Sequence, residues 1–215
     1  MLKAVLFDFD GVIVDSEKIH KKTFMDLLKQ FGVNVTKKKW YEEFAGTGSR
    51  KIFERLVRDH DLNTDVDDLV TRRQMLFLEY VKKGKVKPIS GLKPLLLFLH
   101  EKGIRMAIVS GGHRDYIELL VDMLGIQHYF ELIVSASDIT ARKPNPEVFL
   151  HAARKMNISP QDCVVFEDSY SGCKAAKAAG MKLVWLQPHK SMEAPDCDLI
   201  IEDLADSGLQ KFILS

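Results

Sequence analysis

The chain is short of cysteine, has no excess of charge of either sign and lacks any long apolar run. Each shortage removes a class of protein. The three cysteines, Cys163, Cys173 and Cys197, form no CxxC pair and no zinc pattern. The N-terminus enters an apolar stretch at once, without a signal-peptide layout, so an odd cysteine count fits reduced thiols and a cytoplasmic location. The sequons at Asn34 and Asn157 are then accidental. Lysine plus arginine total 31 against 30 acids, which argues against a general nucleic-acid or membrane-surface binder. No segment has the length of a transmembrane helix. There is no G-x-x-x-x-G-K-[ST] loop for a nucleoside triphosphate, no internal repeat and no low-complexity tract. What remains is a soluble globular chain of 215 residues, 46% hydrophobic and 28% charged, long enough for one domain carrying an insert.

The most informative stretch is residues 3–15, KAVLFDFDGVIVD. The run Ala4-Val5-Leu6-Phe7 reads as a strand buried on both faces of a parallel sheet. Asp8 and Asp10 follow, and if the strand continued that far they would point the same way. Two carboxylates at the end of a buried strand repel each other and lose solvation. A bound cation, or chemistry that uses both acids, accounts for them.

Residues 16–84 then read as helical and strongly charged. Ser16 is placed as an N-cap, and Ile19, Phe24, Leu27, Leu28 and Phe31 recur at helical spacing before Gly32. A short helix is expected over 38–44, another over 50–60 with Ile52, Phe53, Leu56 and Val57 inward, and a third over 66–83 with Leu69, Met75, Leu76, Leu78 and Val81 inward. From residue 91 the texture alternates. Helices over 92–102, 113–124, 146–156 and 172–179 separate strands over 105–109, 132–135, 163–166, 183–186 and 199–201. Right-handed crossovers then give a Rossmann-like, doubly wound parallel sheet, an α/β fold, with an inserted all-α helical-bundle cap. The expected division is a catalytic core of 1–15 and 88–215 and a cap of 16–87.

Ligands of such sheets bind outside the carboxyl ends of the strands. Asp8 and Asp10 follow the first strand, Ser110-Gly111-Gly112 the second, Ser137, Asp138 and Lys143 the third, and Glu167-Asp168 the fourth. Oxygen-rich acidic sites that keep open positions suit Mg²⁺. Lysine, a hydroxyl and unhindered amides beside it make a phosphate site. With no P-loop, an aspartate nucleophile remains, and its neighbour two residues on is placed to protonate the leaving oxygen and then activate water.

DFDGV at residues 8–12, VSGG at 109–112, Lys143-Pro144 and Glu167-Asp168 together resemble the four signature motifs of the haloacid dehalogenase superfamily. The long helical stretch after the first motif resembles the β-phosphoglucomutase-like branch. The resemblance implies that Asp8 is the nucleophile and an Mg²⁺ ligand. It implies that Asp10 is the acid/base, its backbone carbonyl also touching the metal. Ser110, with Gly111, would hold the phosphoryl group, Lys143 would neutralise charge, and Asp168 with Glu167 would complete the metal site. Members that cleave carbon–halogen bonds lack an acid at the Asp10 position, so dehalogenation is not expected. The expected partner is a small phosphorylated metabolite, with no nucleic acid and no membrane, on a monomer or weak dimer. The cap is expected to close over the substrate, hinged near Asp15-Ser16 and residues 87–91.

Plainer readings stand beside these. Asp8-x-Asp10-Gly11 as a calcium loop places glycine at the fourth position, where an EF-hand needs it at the sixth. Ser110 alone is a common N-cap, Lys143-Pro144 an ordinary turn, and Glu167-Asp168 a cap for the following helix. Asp15 reads as a tether of the linker. Lys37-Lys38-Lys39 reads as solvated charge, and the cysteines, Trp40 and Trp185 as packing. His20 reads equally as a surface helix residue or a substrate contact. In Gly46-Thr47-Gly48-Ser49-Arg50-Lys51 the glycines suit a tight turn, while Ser49 and Arg50 suit an anion or sugar hydroxyl, as in the specificity loop this branch's cap carries. A phosphosugar mutase, with Arg72 or Arg73 as a further basic group, is the second expectation. A non-catalytic phosphate-binding domain is the third.

Overall fold

The computed structural model describes residues 2–36, 40–44, 48–187 and 193–215. Lys37, Lys38, Lys39, Gly46 and Thr47 lie outside the described residues. In chain order the elements are β1 (Ala4–Phe7), β2 (Val14–Asp15), α1 (Glu17–Lys29), a π-helical turn Trp40–Phe44, α2 (Ser49–Asp59), α3 (Val66–Lys82) and β3 (Lys87–Pro88). Then come α4 (Leu92–Glu101), β4 (Arg105–Val109), α5 (Arg114–Leu124), β5 (Leu132–Val134), α6 (Glu147–Lys155), β6 (Cys163–Glu167), α7 (Tyr170–Ala178), β7 (Lys182–Leu186), β8 (Leu199–Ile201) and α8 (Ser207–Leu214). Contacts divide the chain into two compact units, Met1–Asp15 with Pro88–Ser215, and Ser16–Lys87. Among the described residues no helix is long and apolar enough to cross a membrane.

The first unit is a six-stranded parallel sheet in the order β5-β4-β1-β6-β7-β8. The chain winds from β1 outward through β4 to β5, then crosses to β6 on the other side of β1. That reversal makes the carboxyl end of β1 the topological switch point, where open α/β sheets bind ligands. All four β1 residues are fully buried, as the unbroken apolar run requires. Alternate residues go to opposite faces. Ala4 and Leu6 join a core with Val148, Phe149, Ala152, Ala175, Ala176 and Trp185 from α6, α7 and β7. Alanines on these helices let them lie close to the sheet.

The helical unit has its own core, built on Phe24, Leu27, Leu28, Ile52, Phe53, Leu56 and Leu69, with Trp40 and Phe44 from the π-helical turn. Two expectations need correction. Met75 is 63% exposed, and Phe77, four residues before the buried Val81, takes the inward position instead. The inward stripe of α3 is thus Leu69, Phe77 and Val81, a phase set by α1 and α2 rather than by α3 alone. The C-terminal helix α8, capped by the Asp206 side chain, was not among the expected elements. Ser16 does stand at the N-cap of α1, but its side chain makes no capping bond.

Candidate active site

The first two acids sit on a sharp reversal. β1 ends at Phe7, and the Asp8 amide donates to the Phe166 carbonyl at 2.9 Å, extending the register with β6 by one bond. The chain then folds back: the Gly11 amide donates to Val14 and the Val14 amide to Phe9. Gly11 is required twice over. Its φ is +80°, and a Cβ there would lie 1.9 Å from Oδ2 of Asp168. The Asp8 and Asp10 carboxylates therefore leave the chain on a turn, not on a continuing strand.

Lys143 ties the acids together. Its Nζ donates to Asp8 Oδ1 at 2.7 Å and to Glu167 Oε1, lies 3.4 Å from the Val109 carbonyl, and sits 4.9 Å from the Phe149 ring centre. Only 11% of the side chain is exposed. The loop that delivers it is held at both ends. Asp138 Oδ2 accepts from the Ser135 amide, the Ser135 hydroxyl and Arg114, while Glu147 accepts from the Thr140 and Ala141 amides. Asp138 is thus a structural acid of the Lys143 loop.

Glu167 is fully buried. Its Oε2 accepts from the Asp168 amide, the Ser169 amide and the Ser169 hydroxyl at 3.1, 3.0 and 2.9 Å. Ser169, not Asp168, is the N-cap of α7, with its side chain accepting from Gly172. The capping reading of Glu167-Asp168 is thereby corrected. Space for Glu167 comes from Gly172, where a Cβ would lie 1.8 Å from Oε1. Gly172→Ala is therefore expected to cost about 3 kcal/mol of stability by overpacking and to displace Glu167 from Lys143. At Gly111 an added Cβ meets nothing within 4 Å, so Gly111→Ala should leave the melting temperature within about 1 °C. Thermal unfolding followed by circular dichroism checks both, and equal melting temperatures for the two variants would contradict the packing argument.

Ser110 directly follows β4, buried, with its Oγ accepting from the Gly112 amide at 3.0 Å. The N-cap of α5 is His113, so Ser110 is not the helix cap. Asp10 has a partner that sequence reasoning missed: the Tyr116 hydroxyl donates to Asp10 Oδ1. The only local trace was a tyrosine at a buried phase of α5, four residues after Gly112.

The electrostatics follow from this packing. Burial pushes the Asp8 carboxyl up to about 7, with Glu167 and Asp10 adding to the rise and Lys143 opposing it. Burial also raises Asp168, reinforced by Glu167 and Asp8. Burial acts to lower Lys143, yet Asp8 and Glu167 outweigh it and hold the lysine above its ordinary range. Around the buried Lys143, the acids Asp8, Glu167 and Asp168 outnumber the cation. Asp8, Glu167 and Asp168 each offer an oxygen within 4.8 Å of the others. An all-oxygen, charge-deficient set of this kind fits a hard divalent cation such as Mg²⁺.

The three residues expected in the helical unit are not all brought together. Arg73 of α3 donates to His20 Nδ1, to Ser49 Oγ at 3.1 Å and to Thr23 Oγ1 at 3.3 Å. His20 stacks on Phe77 at 4.2 Å with an interplanar angle of 8°. His20 and Ser49 thus converge on Arg73. Arg50 instead pairs with Asp67, both exposed. Arg72 turns to Asp68 and Gln30.

Residues 5–186 match the family model described as haloacid dehalogenase-like hydrolase. The chain is 30% identical over 181 residues to the fructose-1-phosphate phosphatase YqaB of Escherichia coli, covering 84% of this chain and 94% of that one. It is 28% identical over 189 residues to a phosphorylated carbohydrates phosphatase of Thermotoga maritima, covering 86% and 84%. In fold it is similar to the β-phosphoglucomutase of Clostridium difficile, with a TM-score of 0.81 at 21% identity over 99% of this chain and 97% of that one.

Proposed function

The chain belongs to the haloacid dehalogenase-like hydrolase family, and we propose that it falls in the β-phosphoglucomutase-like branch and is a Mg²⁺-dependent phosphatase of a small phosphomonoester, a sugar phosphate by preference. The observation that carries this reading is the buried Lys143 bridge between Asp8 and Glu167. It holds one carboxylate ready for attack beside the acids Glu167 and Asp168. The two sugar-phosphate phosphatases among the relatives support the substrate class.

In this reading an Asp8 oxygen attacks phosphorus and the bond from phosphorus to the substrate oxygen breaks. Asp10 gives its proton to that departing oxygen, and the alcohol leaves. Water then attacks the aspartyl phosphate while Asp10 takes a proton from it. Phosphate leaves and Asp8 is restored. Ser110 and the Gly111 region donate to the phosphoryl oxygens, and Lys143 offsets negative charge on Asp8 and the phosphoryl group. Asp8, Glu167 and Asp168, with the Asp10 carbonyl, would hold Mg²⁺. When bound, the ion supplies charge neutralisation between carboxylate and phosphate. We assign this chemistry to residues 1–15 and 88–215. Residues 16–87 are assigned as the cap, with His20, Ser49 and Arg50 as contacts to the rest of the substrate.

Metal binding carries a pH signature. Cation and proton compete for Asp8, whose carboxyl sits at about 7 in the metal-free protein. The deprotonated fraction of Asp8 rises roughly tenfold between pH 6 and pH 8, and Asp168 is raised as well, so calorimetry should show Mg²⁺ affinity rising by at least about tenfold. An affinity that is flat or falls over this range would count against Asp8 as a ligand.

A second reading, a phosphosugar mutase, is favoured by the Arg73 cluster, since a bisphosphate intermediate needs a further basic group. Incubation with glucose 1-phosphate anomers separates the two: a phosphatase releases inorganic phosphate, a mutase moves it.

A further inference from the structure

We infer that Tyr116 is a positioning residue for the proton-transferring Asp10, an inference that rests on the phosphatase reading above. The tyrosine is 7% exposed, so its hydroxyl must find a partner inside the protein, and it donates to Asp10 Oδ1. The contact joins segments 106 residues apart. It is made possible by two features of the site itself. Phe9, between the two acids, packs edge-on to the Tyr116 ring at 5.3 Å and 78°. Gly112, in the Ser110 loop, leaves space that a side chain would take, since a Cβ there would lie 3.0 Å from Cε1 of Tyr116.

The two aspartates have different tasks. Asp8 has to act as an anion, and it faces the ammonium of Lys143. Asp10 has to alternate between acid and carboxylate within one turnover. The tyrosine hydroxyl can donate to a carboxylate oxygen and, more weakly, to the carbonyl oxygen of a carboxylic acid. Tyr116 can therefore hold Asp10 in both half-reactions. The bond at Oδ1 fixes the rotation of the Asp10 carboxyl group, and with it the face that meets the leaving group.

Loss of such positioning has a selective effect. A poor leaving group needs the proton, whereas a good one departs with little help. The test is a series of substituted phenyl phosphates with Mg²⁺, comparing wild type, Tyr116→Phe and Tyr116→Met by kcat/KM. Phenylalanine keeps the ring against Phe9 and removes only the hydroxyl. Methionine keeps a buried apolar side chain should the first variant fold poorly. The expected result is a steeper dependence on leaving-group basicity in both variants, with phenyl phosphate losing about tenfold more than 4-nitrophenyl phosphate. A uniform fall across the series, or none, overturns the inference while leaving the phosphatase reading intact. A wild type inert on every ester removes that reading, and this inference with it.

Discussion

Asp8→Asn is expected to lower Mg²⁺-dependent hydrolysis of 4-nitrophenyl phosphate by at least about 10³-fold and to leave the protein folded. An amide has nearly the shape of a carboxylate but does not attack phosphorus. The backbone bond from residue 8 to the Phe166 carbonyl does not involve the side chain and is retained. Lys143 keeps Glu167 as its counter-ion, so no buried charge is left alone. Asp8 is itself under electrostatic pressure, its carboxyl raised by burial to about 7. A neutral side chain there relieves that pressure. The variant should therefore melt no lower than about 3 °C below wild type at pH 8 without metal. Activity above about a tenth of wild type would remove Asp8 as the nucleophile.

Lys143→Met is expected to have the largest combined effect, about 10³-fold in kcat/KM together with 3–5 kcal/mol of stability in metal-free protein at pH 8. Breaking a buried ion pair from one side leaves its partners desolvated and uncompensated. Here two carboxylates, Asp8 and the fully buried Glu167, lose their shared cation. The loss should depend on pH in a definite sense. Asp8 has an ordinary value of 3.8 and is raised to about 7 in the folded chain. A carboxyl raised on folding binds its proton more tightly in the native state, so its effect on stability is most favourable at low pH and worsens as pH rises through the folded value. Without Lys143 that value moves higher still. Denaturant unfolding should show the deficit of the methionine variant to be smaller at pH 5.5 than at pH 8. A deficit that is independent of pH would mean that packing of the lysine stem, against Phe149 for instance, outweighs its charge.

The sheet and its site were legible in the sequence to different depths. β1 was readable because it is buried on both faces and so is apolar at every position. The four polar clusters were readable because a parallel sheet sends each strand's carboxyl end to one edge, and chain order then assembles them. Asp138 also follows the third strand but serves the loop, since Ser135 and Arg114 donate to its Oδ2. Tyr116 was not legible. Its role depends on a contact across 106 residues, and α5 alone marks it only as inward-facing. The helical unit shows the same limit. Arg50 stood out because it follows a glycine-rich loop, but the packing of three helices gives His20 and Ser49 to Arg73, 24 residues from Ser49. Met75 and Phe77 exchanged places for a related reason: an amphipathic stripe tells how wide the buried face is, while neighbouring helices decide its phase.

Phosphatase activity is tested most directly by phosphorus NMR of the wild-type protein incubated with sugar phosphates, fructose 1-phosphate and the glucose 1-phosphate anomers among them, with Mg²⁺ and again with EDTA. It predicts a growing inorganic phosphate signal from at least one ester, lost on chelation. Conversion of one ester into another without free phosphate, or phosphate release that survives EDTA, would contradict it.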